Sequence, residues 1–180
     1  MVGFNKVPNQ FSMSVAAYFD LKQSFKFYGA FHSNTTNKII HIICVPLIFT
    51  TSIELLARIA PLWLVNIIFL FYVISFTFMD PMAGLAYAPV LTSYYFAATT
   101  WFAVHSAVSV WVFVVAWLAQ FIGHALFEKR APALLTNLPQ ALHAAVFFVW
   151  LEAIFSLGFR TDLRIPLEAA VREEMSKRQF

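Results

Sequence analysis

Long runs of apolar residues, separated by short polar stretches, dominate the chain. No Asp, Glu, Lys or Arg occurs in residues 59–79, a run of 21, or in residues 81–127, a run of 47. Because a helix needs about 20 residues to cross the apolar core of a bilayer, the longer run must hold two crossings joined by a turn. We place that turn at His105 and Ser106, the most polar adjacent pair in the run.

Two further apolar segments flank these runs. Residues 39–57 come first and bring the predicted membrane spans to four. Residues 131–151 come last and are uncharged, but Pro139 interrupts them, so we expect a short arm over 133–138 followed by a helix. Lysines and arginines flank the first and fourth spans, and the positive-inside bias puts both flanks in the cytoplasm. The last segment is then either re-entrant or a fifth span that departs from this bias.

Both ends of the chain are amphipathic rather than apolar. Phe11, Val15 and Tyr18 recur at helical spacing before the first span, and residues 165–180 carry charges of both signs. Such segments are typical of helices that lie in the membrane interface. The sequence therefore predicts an all-α integral membrane protein with four transmembrane helices, a re-entrant or fifth apolar helix and an interfacial helix at each end. We expect a single membrane-embedded domain over residues 1–180.

The composition agrees with this fold class. Hydrophobic residues make up 61% of the 180 residues and charged residues only 12%, about half the charged fraction of an average soluble domain. Twelve Lys and Arg against nine Asp and Glu leave a net charge of +3. This charge is too small and too scattered for nucleic-acid binding. We expect membrane lipid to surround the protein instead.

Three of the five histidines fall at the same predicted membrane boundary. His32 and His41 lie just before and just inside the start of the first span, and His124 closes the fourth. His105 falls on the opposite side, and the pattern does not fix the depth of His143. Polar groups at the edge of a membrane span are unfavourable unless they are paired, so by default they indicate a function.

Further polar groups accompany these histidines. Gln120, His124 and Glu128 are spaced four and four, which places an amide, an imidazole and a carboxylate on one helical face. The other two histidines are nine residues apart and would face opposite ways on a continuous helix. They can meet because residues 33–37, SNTTN, are of the kind that turn and then cap a helix. For the face formed by Gln120, His124 and Glu128, spacing alone gives about equal weight to two interpretations: a functional site, and a capped helix end whose histidine bonds a carbonyl.

Several chemistries are compatible with this arrangement. Three imidazoles from separate segments, with a carboxylate nearby, are typical of a site for Zn or non-haem Fe(II). Membrane di-iron desaturases and hydroxylases need more clustered histidines than this chain has, so that class is excluded. A b-type haem-binding protein stays open, since His41 and His124 meet the need for two histidines at matched depth. A non-enzymatic membrane scaffold, which needs no metal, stays open as well.

Two blocks of the sequence resemble a known family. Residues 27–49, FYGAFHSNTTNKIIHIICVPLIF, and residues 120–142, QFIGHALFEKRAPALLTNLPQAL, look like the two signature blocks of the 2-hydroxy fatty acid dioxygenase family. Its members are small membrane enzymes of fatty-acid α-oxidation, and the fungal ones act in phytosphingosine breakdown. The order, spacing and hydropathy of the remaining segments agree with the family. The second block of this chain contains FEKR-x-PAL, which resembles the fungal members more than many bacterial ones. This favours a eukaryotic source and the endoplasmic reticulum membrane, or the inner membrane if the source is bacterial.

The resemblance implies roles for individual residues. It puts the family's functional histidines on His32, His41 and His124, which would hold Fe(II), although imidazoles suit Zn nearly as well. Glu128 would be the catalytic carboxylate, as a proton acceptor or an orienter of His124 rather than a metal ligand. The companion polar positions, which would support these residues without binding the metal, are Asn34, Asn37, Gln120 and Glu152. The family pattern does not require the other two histidines.

The resemblance also implies the substrates. A 2-hydroxy long-chain fatty acid and O2 would give the acid one carbon shorter, CO2 and water, which conserves every atom. All four electrons that O2 takes up come from the fatty acid, so no external reductant is needed. Lys129 and Arg130 would attract the carboxylate of the substrate from the membrane surface. Their alternative role is to anchor the end of the fourth span.

Overall fold

The computed structural model describes residues 18–129, 131–135 and 137–178. Across these ranges every regular element is helical and no strand occurs. The N-terminal interfacial helix expected around Phe11 and Val15 lies outside the described residues. The C-terminal one is present as a helix over Thr161–Arg178, and its position in the membrane interface stays a prediction.

The helices follow one another along the chain with short connections. The α-helices are α1 (Leu21–Gly29), α2 (Thr35–Ile59), α3 (Leu62–Met79), α4 (Pro81–Ala97), α5 (Ser106–Gly123), α6 (Leu138–Ser156) and α7 (Thr161–Arg178). π-helical turns extend α4 over Ala98–Phe102 and α5 over His124–Glu128, and a 3-10 turn over Ala133–Leu135 precedes α6. The short arm expected before the last apolar helix is therefore confirmed.

Four of the described helices are long and apolar enough to cross a membrane; three of them are among the four predicted spans, and the other is the last apolar helix. They are α2, α3, α5 with its π-helical extension, and α6. Helix α4, expected as the third span, is not among them, because Gly84, Pro89 and several Tyr, Ser and Thr residues make it less apolar. The predicted turn between α4 and α5 is confirmed, since His105 is the residue that precedes the first turn of α5.

The segment that contains α6 leaves and returns at the same end of α2. At its start, Glu128 accepts a hydrogen bond of 2.9 Å from the backbone N–H of Asn34, just before α2. Near the end of α6, Glu152 pairs with Lys38 in the first turns of α2, with 2.8 Å between Nζ and Oε1. The two contacts on α2 are only one helical turn apart. This geometry favours the re-entrant alternative over a fifth crossing.

A buried carboxylate on α2 contacts α5 at the opposite end of the bundle. The Glu54 carboxylate is 3% exposed, and it accepts hydrogen bonds from Nε of Arg58 (2.5 Å) and Oγ of Ser109 (2.6 Å). A charge in an apolar interior needs such partners to offset its lost hydration. Helices α2 and α5 are therefore held together through a contact far from the histidines.

Helix α7 is attached to the corner between α3 and α4. Asp80 caps α4 by accepting from the backbone N–H of Ala83 at 2.8 Å, and the Arg160 guanidinium donates two hydrogen bonds to the same carboxylate, at 2.8 and 3.1 Å. These bonds from Arg160 hold the pKa of the Asp80 carboxyl below its usual value. The carboxylate is thus charged at neutral pH and fixes the chain just before α7.

Aromatic side chains on α6 form the centre of the core. The Phe147 ring stacks on Phe76 of α3 with centroids 4.6 Å apart, and Trp150 stacks on Tyr87 of α4 at 4.8 Å. Such parallel pairs add to the stabilisation from buried apolar area. On their outer faces, α3 and α5 expose large apolar side chains such as Ile74 and Trp111. Those faces are suited to contact with lipid.

We predict that Gly84→Ala destabilises the protein. A Cβ at this position would lie 2.5 Å from backbone atoms of Phe76 and Thr77, so α3 and α4 would have to separate. We expect the free energy of unfolding to fall by about 1–3 kcal/mol, measured by thermal unfolding in detergent. Leu85→Ala, on the exposed face of α4, should leave the unfolding temperature nearly unchanged. Equal unfolding temperatures for Gly84→Ala and the unmodified protein would contradict the prediction.

Candidate metal centre

Three imidazole rings lie side by side where α2 begins and α5 ends. The ring centroids are 4.4 Å apart for His32 and His41, 4.8 Å for His32 and His124, and 5.0 Å for His41 and His124. One ring nitrogen from each lies within 4.8 Å of the others, and each residue is at most 3% exposed. Three imidazole nitrogens this close together are able to bind one metal ion.

A tight turn brings the first two histidines together. Helix α1 ends at Gly29, and the backbone N–H of His32 donates to the carbonyl of Gly29 at 3.0 Å as the chain reverses. Asn34 then caps α2, because its Oδ1 accepts from the backbone N–H of Thr36 at 2.8 Å. The expected turn and cap within residues 33–37 are therefore confirmed. His41 lies two turns into α2, facing back toward His32.

Backbone carbonyls orient two of the rings. Nδ1 of His32 lies 2.8 Å from the carbonyl oxygen of Tyr28, and Nδ1 of His41 lies 2.9 Å from that of Asn37. An imidazole that donates from Nδ1 has an unprotonated Nε2, which is the form that binds a metal. Among the described residues, none forms a hydrogen bond with the buried Nε2 of His32. A buried nitrogen of this kind fits a metal ligand.

The surroundings of His32 keep its ring neutral. Burial lowers the pKa of the His32 imidazole well below its usual value, and the nearby His41 and His124 lower it further. The ring also stacks on Tyr28, with centroids 4.0 Å apart. Because metals bind neutral rather than protonated imidazole, this environment favours ligation.

A π-helical turn sets the position of Glu128. The turn runs over His124–Glu128 and ends at Lys129, which has a left-handed backbone with φ of 54°. A π-turn adds a residue to the helical repeat, and such turns are frequent at functional sites. Glu128 is consequently displaced from the regular stack with Gln120 and His124 that four-residue spacing predicts. Its carboxylate reaches the start of α2.

The Glu128 carboxylate binds the segment that carries the other two histidines. Its oxygens accept hydrogen bonds from Oγ of Ser33 (2.8 Å), the backbone N–H of Asn34 (2.9 Å) and Nδ2 of Asn37 (3.2 Å). Asn37 in turn supplies the carbonyl that orients His41. These contacts give Glu128 a geometry suited to positioning the histidines, and they place Asn34 and Asn37 next to the cluster.

A cavity of about 190 Å³ extends from the three histidines into the bundle. Along α2 its wall is formed by His41, Val45, Ile48 and Ser52, which recur every three or four residues and so share one helical face. At 1.5 Å per residue, this stripe is about 16 Å long. A long, mainly apolar cavity with polar groups at one end is suited to an amphiphile with a polar head. The sequence alone does not indicate this wall, since equally spaced apolar residues occur on every face of α2.

Comparison with known proteins assigns the family. Residues 18–79 and 83–157 match the family described as 2-hydroxy-palmitic acid dioxygenase Mpo1-like. The chain belongs to this Mpo1-like family. It is 31% identical over 157 residues to the 2-hydroxy-palmitic acid dioxygenase MPO1 of Saccharomyces cerevisiae, which covers 83% of this chain and 88% of the yeast protein. The resemblance inferred from the two sequence blocks is confirmed. No solved structure matches the chain.

The remaining predicted site residues have different surroundings. Gln120 is buried and lines the cavity one turn before His124. Glu152 is bonded to Lys38, so its contact is with the first turns of α2 and not with an imidazole. The Lys129 side chain is exposed and does not line the cavity. Arg130 lies outside the described residues.

The other two histidines, His105 and His143, lie away from the cluster. His105 is exposed at the other end of α5, where its ring stacks on Trp101 with centroids 4.7 Å apart. His143 is buried on α6, and its Nε2 lies 2.8 Å from Oγ of Ser75. This pair links α6 to α3 within the aromatic core. Neither ring can join the three-histidine cluster in this fold.

We predict that Glu128→Gln weakens metal binding. The amide keeps the shape of the side chain but replaces one acceptor oxygen with a donor, which must face Ser33, Asn34 or Asn37. Loss of a residue that orients metal ligands reduces affinity about 10- to 100-fold, measurable as metal content after dialysis against a chelator. Glu152→Gln, which removes only the ion pair with Lys38, should retain the metal. Undiminished metal in Glu128→Gln would contradict a positioning role and favour a role as proton acceptor.

Proposed function

We propose that this protein is a 2-hydroxy fatty acid dioxygenase that shortens its substrate by one carbon. The observation that carries the proposal is the group of three buried imidazoles at one end of a long apolar cavity, in a member of the Mpo1-like family. The name of the yeast relative gives 2-hydroxy-palmitic acid as its substrate. We extend that substrate class to this chain and place the protein in the endoplasmic reticulum membrane, as the style of its second sequence block favours.

His32, His41 and His124 would hold Fe(II). Three neutral imidazoles also suit Zn, but Zn has no redox chemistry, and a reaction that consumes O2 needs a metal that exchanges electrons. Bound by these rings, Fe(II) would supply coordination positions for the substrate head and O2 and a path for electrons between them. The protein itself fixes the positions of the rings. Backbone carbonyls orient His32 and His41, and Glu128 holds the turn between these two residues.

The proposed reaction balances without another cofactor. A 2-hydroxy acid and O2 give the acid one carbon shorter, CO2 and water. The bond between C1 and C2 breaks, C1 leaves as CO2, and C2 becomes the new carboxyl carbon. The substrate supplies all four electrons that O2 accepts, so neither a reductant nor a nucleotide-binding domain is needed.

The geometry supports a single-ion site over a b-type haem. A bis-histidine haem would place its macrocycle between two rings such as His41 and His124. The centroids of those two rings are 5.0 Å apart, and the third ring, His32, lies within 4.8 Å of both. A haem would also leave His32 without a role. A scaffold function explains neither the oriented imidazoles nor the cavity beside them.

Metal analysis and turnover together test the proposed function. Protein purified without O2 should contain about one iron per chain and, when O2 is admitted, convert 2-hydroxypalmitate to pentadecanoate and CO2. Replacing His32, His41 or His124 by Ala should abolish iron binding and turnover, because each substitution removes one ligand. His105→Ala, at the other end of α5, should retain both. Iron-free protein that is fully active, or cluster variants that still turn over, would overturn the assignment.

We also predict that Ser52→Trp shortens the preferred acyl chain. Ser52 lies at the far end of the α2 stripe, so an indole there would fill the space that the end of a long tail occupies. We expect the ratio of kcat/KM for 2-hydroxypalmitate to that for 2-hydroxydecanoate to fall by about tenfold or more. Leu47→Trp is the matched control, because Leu47 is on α2 but 38% exposed and outside the cavity. The same ratio in both variants would contradict a tail lying along α2.

A further inference from the structure

No described residue places a cationic side chain in the cavity wall where the head of a fatty acid would bind. Among the described residues that line it, the groups near the histidines are aromatic, apolar or neutral polar, and none is Lys or Arg. Lys129 follows the cluster in sequence, but its side chain is exposed and lies outside the lining. A carboxylate that enters this space leaves water, so it needs hydrogen-bond donors from the protein.

Among the described residues that line the cavity, Gln120 is distinguished by a buried amide donor without a partner. The Gln120 side chain is 7% exposed and lines the cavity beside the histidines. Its Nε2 is buried, and none of the described residues hydrogen-bonds to it. A buried amide N–H without an acceptor is unfavourable. A ligand oxygen in the cavity would satisfy it.

The helix places this donor next to the cluster. Gln120 lies four residues before His124, and the backbone N–H of His124 donates to the Gln120 carbonyl. Residues four apart are neighbours on one helical face, so the amide and the imidazole face the same space. Nε2 of Gln120 forms no hydrogen bond with any of the three histidines. This argues against a role for Gln120 in orienting the rings.

We propose that Gln120 binds the carboxylate of the substrate, with its Nε2 donating to a carboxylate oxygen. The head of the fatty acid would then lie between Gln120 and the histidines, and its tail would follow the α2 stripe toward Ser52. This inference rests on the proposed function and names the residue that selects an acid as the substrate. It assigns to Gln120 the part in carboxylate binding that the family resemblance gives to Lys129 and Arg130, and Gln120 then contacts the substrate instead of supporting a metal ligand.

Binding without O2 tests the proposal, because no turnover occurs. The ligands are 2-hydroxypalmitate and palmitate, which share the carboxylate, and hexadecane-1,2-diol, which has the hydroxyl but no carboxylate. Gln120→Leu and Gln120→Met remove the donor, and either should weaken binding of both acids about 10- to 100-fold, as for loss of a hydrogen bond to a charged group. Affinity for the diol should be unchanged. Gln120→Glu should weaken the acids at least as much, because two carboxylates would face each other.

A second buried glutamine provides a matched control. Gln140 is fully buried and its Nε2 also has no partner among the described residues, but it does not line the cavity. Gln140→Leu should therefore bind all three ligands as the unmodified protein does. Metal content equal to that of the unmodified protein in the folded Gln120 variants would separate carboxylate binding from an effect on His124.

Two results would overturn the role of Gln120. One is an equal loss of affinity for the acids and the diol in the Gln120 variants. The other is undiminished affinity for the acids in a folded variant, either Gln120→Leu or Gln120→Met. Failure of the proposed function is distinguishable from both, since it appears in the unmodified protein as absence of O2-dependent consumption of 2-hydroxypalmitate.

Discussion

The arrangement of the site depends on how one buried carboxylate is hydrogen-bonded. Glu128 ends an apolar helix, and a charge there is unfavourable unless donors surround it. The donors come from the turn before α2 and from its first residues, Ser33, Asn34 and Asn37. The end of α5 and the start of α2 are thereby held at a fixed separation. Because His124 lies on one of these segments and His32 and His41 lie on the other, the three rings meet.

The pair formed by α2 and α5 is fixed at both ends. Glu54, with Arg58 and Ser109, joins the helices at the end far from the histidines. Near the site the two helices approach closely, since a Cβ on Gly123 would lie only 2.6 Å from Oδ1 of Asn37. The cavity lies between these helices and the segment that returns through α6. A frame fixed in this way allows a long apolar ligand to be held without displacing the polar groups at its head.

Local patterns in the sequence predict much of the fold and the identity of the cluster. Run lengths give the long apolar helices and the turn at His105, and their common membrane boundary singles out His32, His41 and His124. Three features depend on contacts that no local pattern contains. The π-turn after Gly123 changes the direction of Glu128, Glu152 pairs with Lys38 across 114 positions, and one face of α2 lines the cavity. The ion pair and the cavity wall require the tertiary fold. The π-turn requires a helical repeat longer than the regular α-helical one.

The carbonyls that orient His32 and His41 belong to residues four positions earlier, Tyr28 and Asn37. Every amino acid has this carbonyl, so no side-chain substitution removes the oxygen itself. The tautomer of two of the three rings is therefore set by main-chain conformation, and the Asn37 side chain acts separately, through its hydrogen bond to Glu128. A centre built in this way tolerates sequence drift around it, which is compatible with an identity of only 31% to the yeast protein.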